Sequence, residues 1–138
     1  ILFSNALAQA FRYWSDVTNL NFAEVTRNQK ADLEIKFSVA DHGDGHPFDS
    51  KGGVLAHAFF PDDGRVHFDD AEYFTEHRKD GVNLRIVAAH EIGHALGLDH
   101  IIEEGSLMNP YYKGYDENFR LGRADIREIQ NKYGKIKI

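Results

Sequence analysis

The amino-acid sequence predicts one domain that mixes α-helices with β-strands. Apolar residues recur at helical spacing near the start, in the middle and near the end of the chain, and shorter strand-like segments lie between them. The chain has 138 residues, of which 42% are hydrophobic. That content is enough for one buried core and too little for two, so we expect a single domain over residues 1–138.

The first helix is predicted from apolar residues at spacings of four and three, which are Phe3, Leu7, Ala10, Trp14 and Val17. Two strands are predicted next, over Leu20–Val25 and Ala31–Val39. In the second strand Leu33, Ile35 and Phe37 alternate with charged residues, so we expect one face of it to be buried.

Residues 41–53 are rich in Gly, Asp, His, Pro and Ser, which predicts a long loop, and loops of this length usually have a function. Val54–Phe60 and Arg65–Phe68 are predicted as strands. The turn residues 61–64 join them into a pair.

Two further helices are predicted, over Val82–Leu96 and Ala124–Tyr133. Gly97 follows the first and Gly134 the second, and glycine is the usual residue at the end of a helix. We found no repeat, low-complexity tract or interdomain linker.

Composition excludes several function classes. The formal net charge is −6 and the pI is about 5.7, so neither nucleic acid nor an anionic membrane is an expected partner. No stretch approaches the roughly 20 apolar residues of a membrane span. The chain has no cysteine, so any metal must be held by His, Asp, Glu, backbone carbonyls or water.

The segment from His90 to His100 carries the strongest motif. His90 and His94 are four residues apart, so both project from one face of a helix. Gly97 allows the backbone to turn, so that His100 returns to the same point. Three imidazoles on zinc leave the fourth position to water, which is the geometry of a catalytic site.

Glu91 follows the first histidine and is predicted to be the general base that activates the zinc-bound water for peptide hydrolysis. The alternative interpretation is a set of solvent-facing histidines on an ordinary amphipathic helix. Three His, one Glu and one Gly at fixed spacing are a much more demanding coincidence than a lone pair of histidines.

This motif, His-Glu-x-x-His-x-x-Gly-x-x-His, resembles that of the metzincins, and the chain is most similar to the matrix metalloproteinase catalytic domain. Other segments fall in that family's order: Trp14–Val17, Ala31–Leu33, His42–Asp44, Pro47–Asp49, Leu55–Phe59, His67–Asp69 and Ser106–Pro110. The resemblance implies an α/β fold with a mostly parallel, twisted, five-stranded type of sheet and three helices. It also implies a fragment that lacks the family's first strand, propeptide and haemopexin-like domain.

The resemblance further implies the surroundings of the catalytic zinc. Met108 would form the Met-turn beneath the histidines, where it could equally be a plain core methionine. Pro110 and Tyr112 would form one wall of the pocket for the residue after the cut bond, the P1′ residue. Ile86 would shape the same pocket. A second, structural zinc is implied at His42, Asp44, His57 and His67, whereas His46 and His77 match no ligand position and are expected to face solvent.

At least one calcium ion is also implied by the resemblance. Its ligands would be the carboxylates of Asp49, Asp69 and Glu72 and the carbonyls of Ser50, Gly52 and Val54. The alternative is a solvated acidic turn. A second calcium site of the family has Arg65 where an aspartate would stand, so we expect an ion pair between Arg65 and Asp32 in its place.

These observations predict a zinc-dependent endopeptidase that hydrolyses peptide bonds in extracellular or matrix proteins. Expected partners are extended polypeptides, which would pair with the strand Val54–Phe60, and protein inhibitors of metalloproteinases. The resemblance also implies an extracellular monomer. Rival interpretations are another metzincin, of astacin or adamalysin type, and a catalytically silent metal-binding module, and the presence of Glu91 argues against the latter.

Overall fold

A computed structural model describes residues 2–137. It confirms the predicted fold class, with three helices and a small mixed sheet. The elements in chain order are α1 (Leu2–Ser15), β1 (Glu34–Ser38), β2 (Ala56–Ala58), β3 (Arg65–Asp69), β4 (Phe74–Thr75), β5 (Val82–Asn83), α2 (Leu84–Ala95) and α3 (Arg123–Tyr133).

The main sheet has three strands in the order β1, β3, β2. β1 runs parallel to β3, and β2 runs antiparallel to it, so β2 has one unpaired edge. β4 and β5 form a separate parallel pair. Within residues 2–137 the sheet is therefore smaller than the expected five-stranded type. The long loop and the strand pair around residues 61–64 lie where the sequence predicted them.

The first helix packs against α2 through a narrow face of small and aromatic residues. Ala6, Ala10 and Trp14 are buried on this face, and the Trp14 indole N–H donates to the Ala89 carbonyl at 2.9 Å. Phe3 is 40% exposed, although its ring stacks on that of a residue in β1. The spacing therefore predicted the helix correctly.

The predicted strand Leu20–Val25 is wrong, because the structure has no strand there. Leu20 and Phe22 are half-buried, and the Phe22 ring lies 4.9 Å from that of Phe11 on α1. These two apolar side chains pack against a helix and not within a sheet. Apolar and polar residues alternate here because one side of an extended segment faces α1, although the segment pairs with no strand.

The second helix begins two residues later than predicted, because Val82 and Asn83 pair with β4 instead. The Asn83 side chain caps α2 by accepting the N–H of Ile86 at 2.9 Å. Most of α2 is buried, as expected of a helix that packs against both α1 and the sheet strands. The third helix matches its predicted bounds within one residue and ends at Gly134.

Among residues 2–137, no helix combines the length and the apolar composition that crossing a bilayer requires.

Candidate metal centres and the adjoining cleft

Three histidines meet at the C-terminal half of α2, in what we call the open cluster: His90, His94 and His100. The helix presents the first two on one face. It is followed by Gly97, whose φ of 103° suits glycine, and the chain then turns back. One ligand nitrogen of each histidine lies within 4.8 Å of the others. The structure thus brings together the three side chains that the motif singled out.

Backbone carbonyls orient two of these rings. His90 Nδ1 lies 2.7 Å from the Leu107 carbonyl, and His94 Nδ1 lies 2.7 Å from the Leu98 carbonyl. A nitrogen beside a carbonyl must carry the hydrogen, so each Nε2 keeps its lone pair. The two Nε2 atoms are only 3.1 Å apart. Two lone pairs so close repel each other unless a cation lies between them.

The protonation states of His90 and His94 agree with a cation between their Nε2 atoms. Burial lowers the pKa of His90 to about 4, although the carbonyl of Leu107 opposes the effect. Burial likewise lowers the pKa of His94. Both rings are therefore neutral at pH 7, as metal ligands must be. Three imidazoles beside a cleft fit zinc with an open coordination position.

Met108 lies beneath the open cluster and is fully buried. A Cβ added to Gly93 would lie 2.5 Å from Met108 Sδ and 2.9 Å from Trp14 Cζ2. Both distances are too short for a real side chain, so only glycine lets the thioether and the indole pack against α2 here. The packing supports the predicted role of Met108 as a hydrophobic base.

Asp125 is a fully buried carboxylate that the sequence analysis did not single out. It accepts hydrogen bonds from the Leu107 N–H at 2.7 Å, the Met108 N–H at 3.1 Å and the Ser106 hydroxyl at 2.6 Å. Because the Leu107 carbonyl in turn orients His90, Asp125 helps to position a candidate ligand through one intervening residue. An acid in the first turn of α3 was its only signal in the sequence.

Glu91 lines the cleft next to His90, and only 8% of its surface is exposed. Burial raises the pKa of Glu91 to about 8. That value applies without a cation, and a metal held by the neighbouring imidazoles would lower it. Such a carboxyl can both accept and release a proton near neutral pH.

Four further side chains meet between the long loop and the sheet, in what we call the closed cluster: His42, Asp44, His57 and His67. His57 and His67 pair directly across β2 and β3. Asp44 Oδ2 lies 2.9 Å from His42 Nε2, 2.7 Å from His57 Nε2 and 2.8 Å from His67 Nδ1. His67 Nδ1 is also 3.2 Å from His42 Nε2 and 3.3 Å from His57 Nε2.

A cation explains this arrangement better than hydrogen bonds do. Each carboxylate oxygen has two lone pairs, so Asp44 Oδ2 cannot be a good acceptor for three ring N–H groups at once. Burial acts to raise the pKa of Asp44, but the His46 N–H and the rings of His57 and His67 hold it well below its usual range. Burial lowers the pKa of His57. An ionised carboxylate surrounded by three imidazole nitrogens fits a four-ligand structural zinc.

The two remaining histidines of the sequence prediction, His46 and His77, are exposed as expected. The His46 ring nevertheless lies 5.9 Å from that of His57 and 5.7 Å from that of Phe59. It therefore borders the closed cluster without joining it.

The predicted calcium ligands surround one turn of the long loop. The Asp49 carboxylate accepts the Val54 N–H at 3.2 Å, and the Glu72 carboxylate accepts the Gly52 N–H. Asp69 is fully buried, and its Oδ2 has no hydrogen-bond partner among the described residues. A buried carboxylate oxygen is costly without a partner or a nearby cation. The carboxylates do not form a third tight cluster within residues 2–137, so calcium stays a prediction.

A cleft of about 1100 Å³ adjoins the open cluster. β2 lies along one side and, as the last strand of its sheet, has an unpaired edge. Ile86, Pro110 and Tyr112 line the cleft together with Glu91, so the predicted pocket residues do lie together.

The predicted ion pair between Arg65 and Asp32 is wrong. Arg65 pairs instead with Asp63, through two hydrogen bonds of 2.7 Å, and its guanidinium lies 4.1 Å from the centroid of the Phe59 ring. Asp63 lies only two residues away in the same turn, so less chain has to be ordered for the two side chains to meet. Asp32 contacts this turn through its backbone, since a Cβ on Gly64 would collide with its carbonyl oxygen.

Comparison with known proteins identifies a protein family that matches this chain. A sequence profile described as Matrixin, a peptidase family, matches residues 2–134. Similar proteins include a hatching enzyme of Paracentrotus lividus, which is 53% identical over 128 residues, covering 93% of this chain and 22% of that protein.

Two further relatives are matrix metalloproteinase-18 of Xenopus laevis and a macrophage metalloelastase of Rattus norvegicus. The first is 47% identical over 134 residues, covering 94% of this chain and 28% of that protein. The second is 48% identical over 130 residues, covering 91% and 28%. The chain thus spans about a quarter of the length of these relatives.

Proposed function

This chain belongs to the matrixin family of metallopeptidases, and from that premise we propose that its cleft is the active site of a zinc-dependent endopeptidase. The names of two relatives, a matrix metalloproteinase and a metalloelastase, support protein substrates. The proposed substrates are proteins of the extracellular matrix, with residues 1–138 as one catalytic domain.

One observation carries the proposal. Two neutral imidazoles, those of His90 and His94, have their Nε2 atoms 3.1 Å apart, and the carboxyl of Glu91 is buried beside them. With His100 they would hold a zinc ion, which supplies Lewis acidity toward water and a carbonyl oxygen when bound. The donor set and its burial fit that ion.

The proposed role of Glu91 is to move a proton. Its carboxylate accepts a proton from the attacking water and delivers it to the nitrogen that leaves when the C–N bond breaks, so the residue ends as it began. Burial favours the protonated form of Glu91, and a nearby cation favours the ionised form. The opposition of the two effects keeps the carboxyl able to work in both directions near neutral pH.

Extended polypeptides suit the cleft because of its strand edge. The unpaired side of β2 offers backbone N–H and C=O groups, so a substrate can add to the sheet as a further strand. Ile86 gives the pocket beside it an aliphatic wall without a charge. Leu or Met after the cut bond is therefore the proposed preference.

The closed cluster is proposed to hold a structural zinc, and its convergence on Asp44 Oδ2 supports this. A calcium ion is proposed at Asp49, Asp69 and Glu72, supported by the unpartnered oxygen of Asp69. Carbonyls of Ser50, Gly52 and Val54 would complete it. Ser50 adopts a φ of 68° in this loop, which is unusual for a residue with a side chain.

Family membership also motivates proposals about the surroundings of the enzyme. We expect it to act outside the cell as a monomer and to bind protein inhibitors of metalloproteinases. These expectations depend on the resemblance alone.

Turnover of an unstructured polypeptide tests the function. We expect internal cleavage that a chelator abolishes and added zinc restores, with circular dichroism showing that the fold survives the treatment. A folded, zinc-loaded chain that leaves the polypeptide intact would refute the proposal. Release of terminal residues alone would point to an exopeptidase.

A further inference from the structure

Asn83 links the start of α2 to the wall of the cleft. It is fully buried, and its side-chain oxygen accepts the Ile86 N–H at 2.9 Å, which caps the helix. Its backbone N–H donates to the Tyr112 hydroxyl at 2.7 Å. Its side-chain amide donates to Glu76 Oε1 at 2.7 Å. One residue therefore connects the helix that carries the open cluster, the cleft wall and a buried acid.

Glu76 is itself one half of a buried ion pair. Its Oε2 lies 3.4 Å from Arg85 Nε, and the two side chains are only 3% and 11% exposed. Asn83 and Arg85 therefore each contact one of its oxygens. Removing one partner of such a pair leaves an uncompensated buried charge, which neighbouring groups must move to accommodate.

Arg85 also borders the segment that carries the wall. Its guanidinium carbon lies 5.9 Å from the centroid of the Tyr115 ring, which itself lines the cleft. Nε and Nη2 of Arg85 have no hydrogen-bond partner among the described residues. The charge of Glu76, the face of Tyr115 and the nearby Tyr13 side chain surround this buried cation. Arg85 therefore lies close both to Glu76 and to the Tyr115 ring, which lines the cleft.

We propose that Glu76 and Arg85 are positioning residues that fix the Tyr112 wall through Asn83, and so set which side chain the cleft accepts after the cut bond. This inference rests on the proposed function, since it concerns the selectivity of the same cleft. Tyr112 is partly exposed and lies within the loop between α2 and α3, so the hydroxyl bond to Asn83 ties its ring to the start of α2.

Three variants test the linkage: Glu76→Gln, Tyr112→Phe and the two combined. The first keeps an oxygen for Asn83 but loses the charge opposite Arg85, and the second removes only the hydroxyl. Asp80→Asn is the matched control, because it neutralises an acid in an exposed ion pair with Arg78 that lies outside the linkage.

The first measurement is the ratio of kcat/KM for two peptides that differ only in having Leu or Trp after the cut bond. We expect Glu76→Gln and Tyr112→Phe each to reduce the preference for Leu by about threefold to tenfold, the scale of one hydrogen bond. The double variant should match Tyr112→Phe alone, because the effect of Glu76 passes through the hydroxyl. Mere loss of folded protein lowers both rates equally and leaves the ratio unchanged.

The second measurement needs no catalysis. Exchange of the Asn83 backbone N–H should become about tenfold faster in both single variants, while amides in the middle of α2 and the Asp80→Asn control stay unchanged. If the wild-type chain cuts no peptide, the proposed function fails, and exchange still decides the linkage.

A Glu76→Gln variant with the wild-type ratio and wild-type exchange would overturn the inference, as would independent, multiplying effects in the double variant. Should Glu76→Gln not fold, Arg85→Gln breaks the same pair from the other side. The same two outcomes then decide.

Discussion

The open cluster has three histidine rings beside a cleft, whereas the closed cluster has three histidine rings around a carboxylate and borders the same cleft only through His57. The first is built on a helix and the turn after it, and the second joins two paired strands to a loop. Both orient rings by hydrogen bonds to backbone carbonyls, as at His90 and at His42, whose Nδ1 lies 2.9 Å from the Ala40 carbonyl.

The difference lies in how much charge each cluster would leave on a bound cation. Asp44 supplies a negative charge to the closed cluster, so a divalent ion held there would be partly neutralised by its ligands. The candidate ligands of the open cluster include no carboxylate. Glu91 lies beside the three rings but does not belong to the ligand set. Under the proposed function, histidine would thus serve structure in the closed cluster and chemistry in the open cluster.

The largest expected effect is a loss of turnover at the open cluster without a loss of zinc. Glu91→Ala should lower turnover by about 10²- to 10⁴-fold, because it removes the proton carrier. Zinc content should stay the same, since the three histidines remain. Glu104→Ala, at an exposed acid shortly after His100, is the control. Loss of zinc in Glu91→Ala would make the residue structural, and unchanged turnover would remove it from the mechanism.

The next largest expected effect is a loss of metal and of folding stability when the closed cluster is disrupted. His57→Ala should reduce the zinc content from two ions to one and destabilise the fold by about 3 to 5 kcal/mol, since Asp44 loses partners and metal binding is coupled to folding. Metal analysis and urea unfolding measure both quantities. His46→Ala removes a neighbouring, exposed imidazole and should leave both unchanged. A wild-type content of one zinc would contradict the closed cluster as a metal site.

Lowering the pH is expected to reduce the stability that both clusters contribute to the fold. The pKa of His90 is about 4 in the fold and about 6.5 when unperturbed, so the unfolded chain binds more protons between these values. The contribution of His90 to stability, about 3 kcal/mol, is therefore fully present above pH 6.5 and is lost as the pH falls toward 4. Displacement of zinc by protons has the same sign.

In the closed cluster the lowered pKa of His57 acts in the same direction, and Asp44 adds a further loss only below about pH 4, as its own lowered pKa requires. Unfolding by urea across a pH series measures the decline, and His90→Asn should flatten it between pH 6.5 and 4. A fold that becomes more stable between pH 7 and pH 5 would contradict this account.

The smallest expected effect concerns the pocket in the cleft beside the open cluster. Peptides with Leu or Met after the cut bond should be cut at least about tenfold faster than those with Asp or Lys, because an aliphatic wall cannot pair a buried charge. Rates on a matched peptide set give the ratio. Equal rates across the set would mean that Ile86 does not shape the pocket.

The sequence predicted best what depends on local spacing. His90 and His94 share a face because a helix has 3.6 residues per turn, and Gly97 marks where that helix stops. His57 and His67 could be assigned to one cluster only through the family resemblance, although strand alternation placed each in its own strand. These parts follow from neighbours along the chain.

The errors had two sources. Leu20 and Phe22 alternate like a strand but pack on α1, a tertiary contact. The family resemblance pointed to Asp32 as the partner of Arg65, whereas Arg65 meets the acid two residues away. Asn83 and Asp125 were missed because nothing in their local sequence reveals a partner 17 to 29 residues distant. Buried polar residues of this kind become visible only when the fold is known.

The hydrogen bonds of Asp125 also impose an order in time. A ribosome reaches position 125 about 25 residues after it has made the last of the histidines, a delay of roughly one to five seconds at ordinary rates of synthesis. During that interval every candidate ligand of both clusters exists, yet the carbonyl that orients His90 has no anchor. A nascent chain therefore carries the complete motif before it can hold the motif in working geometry.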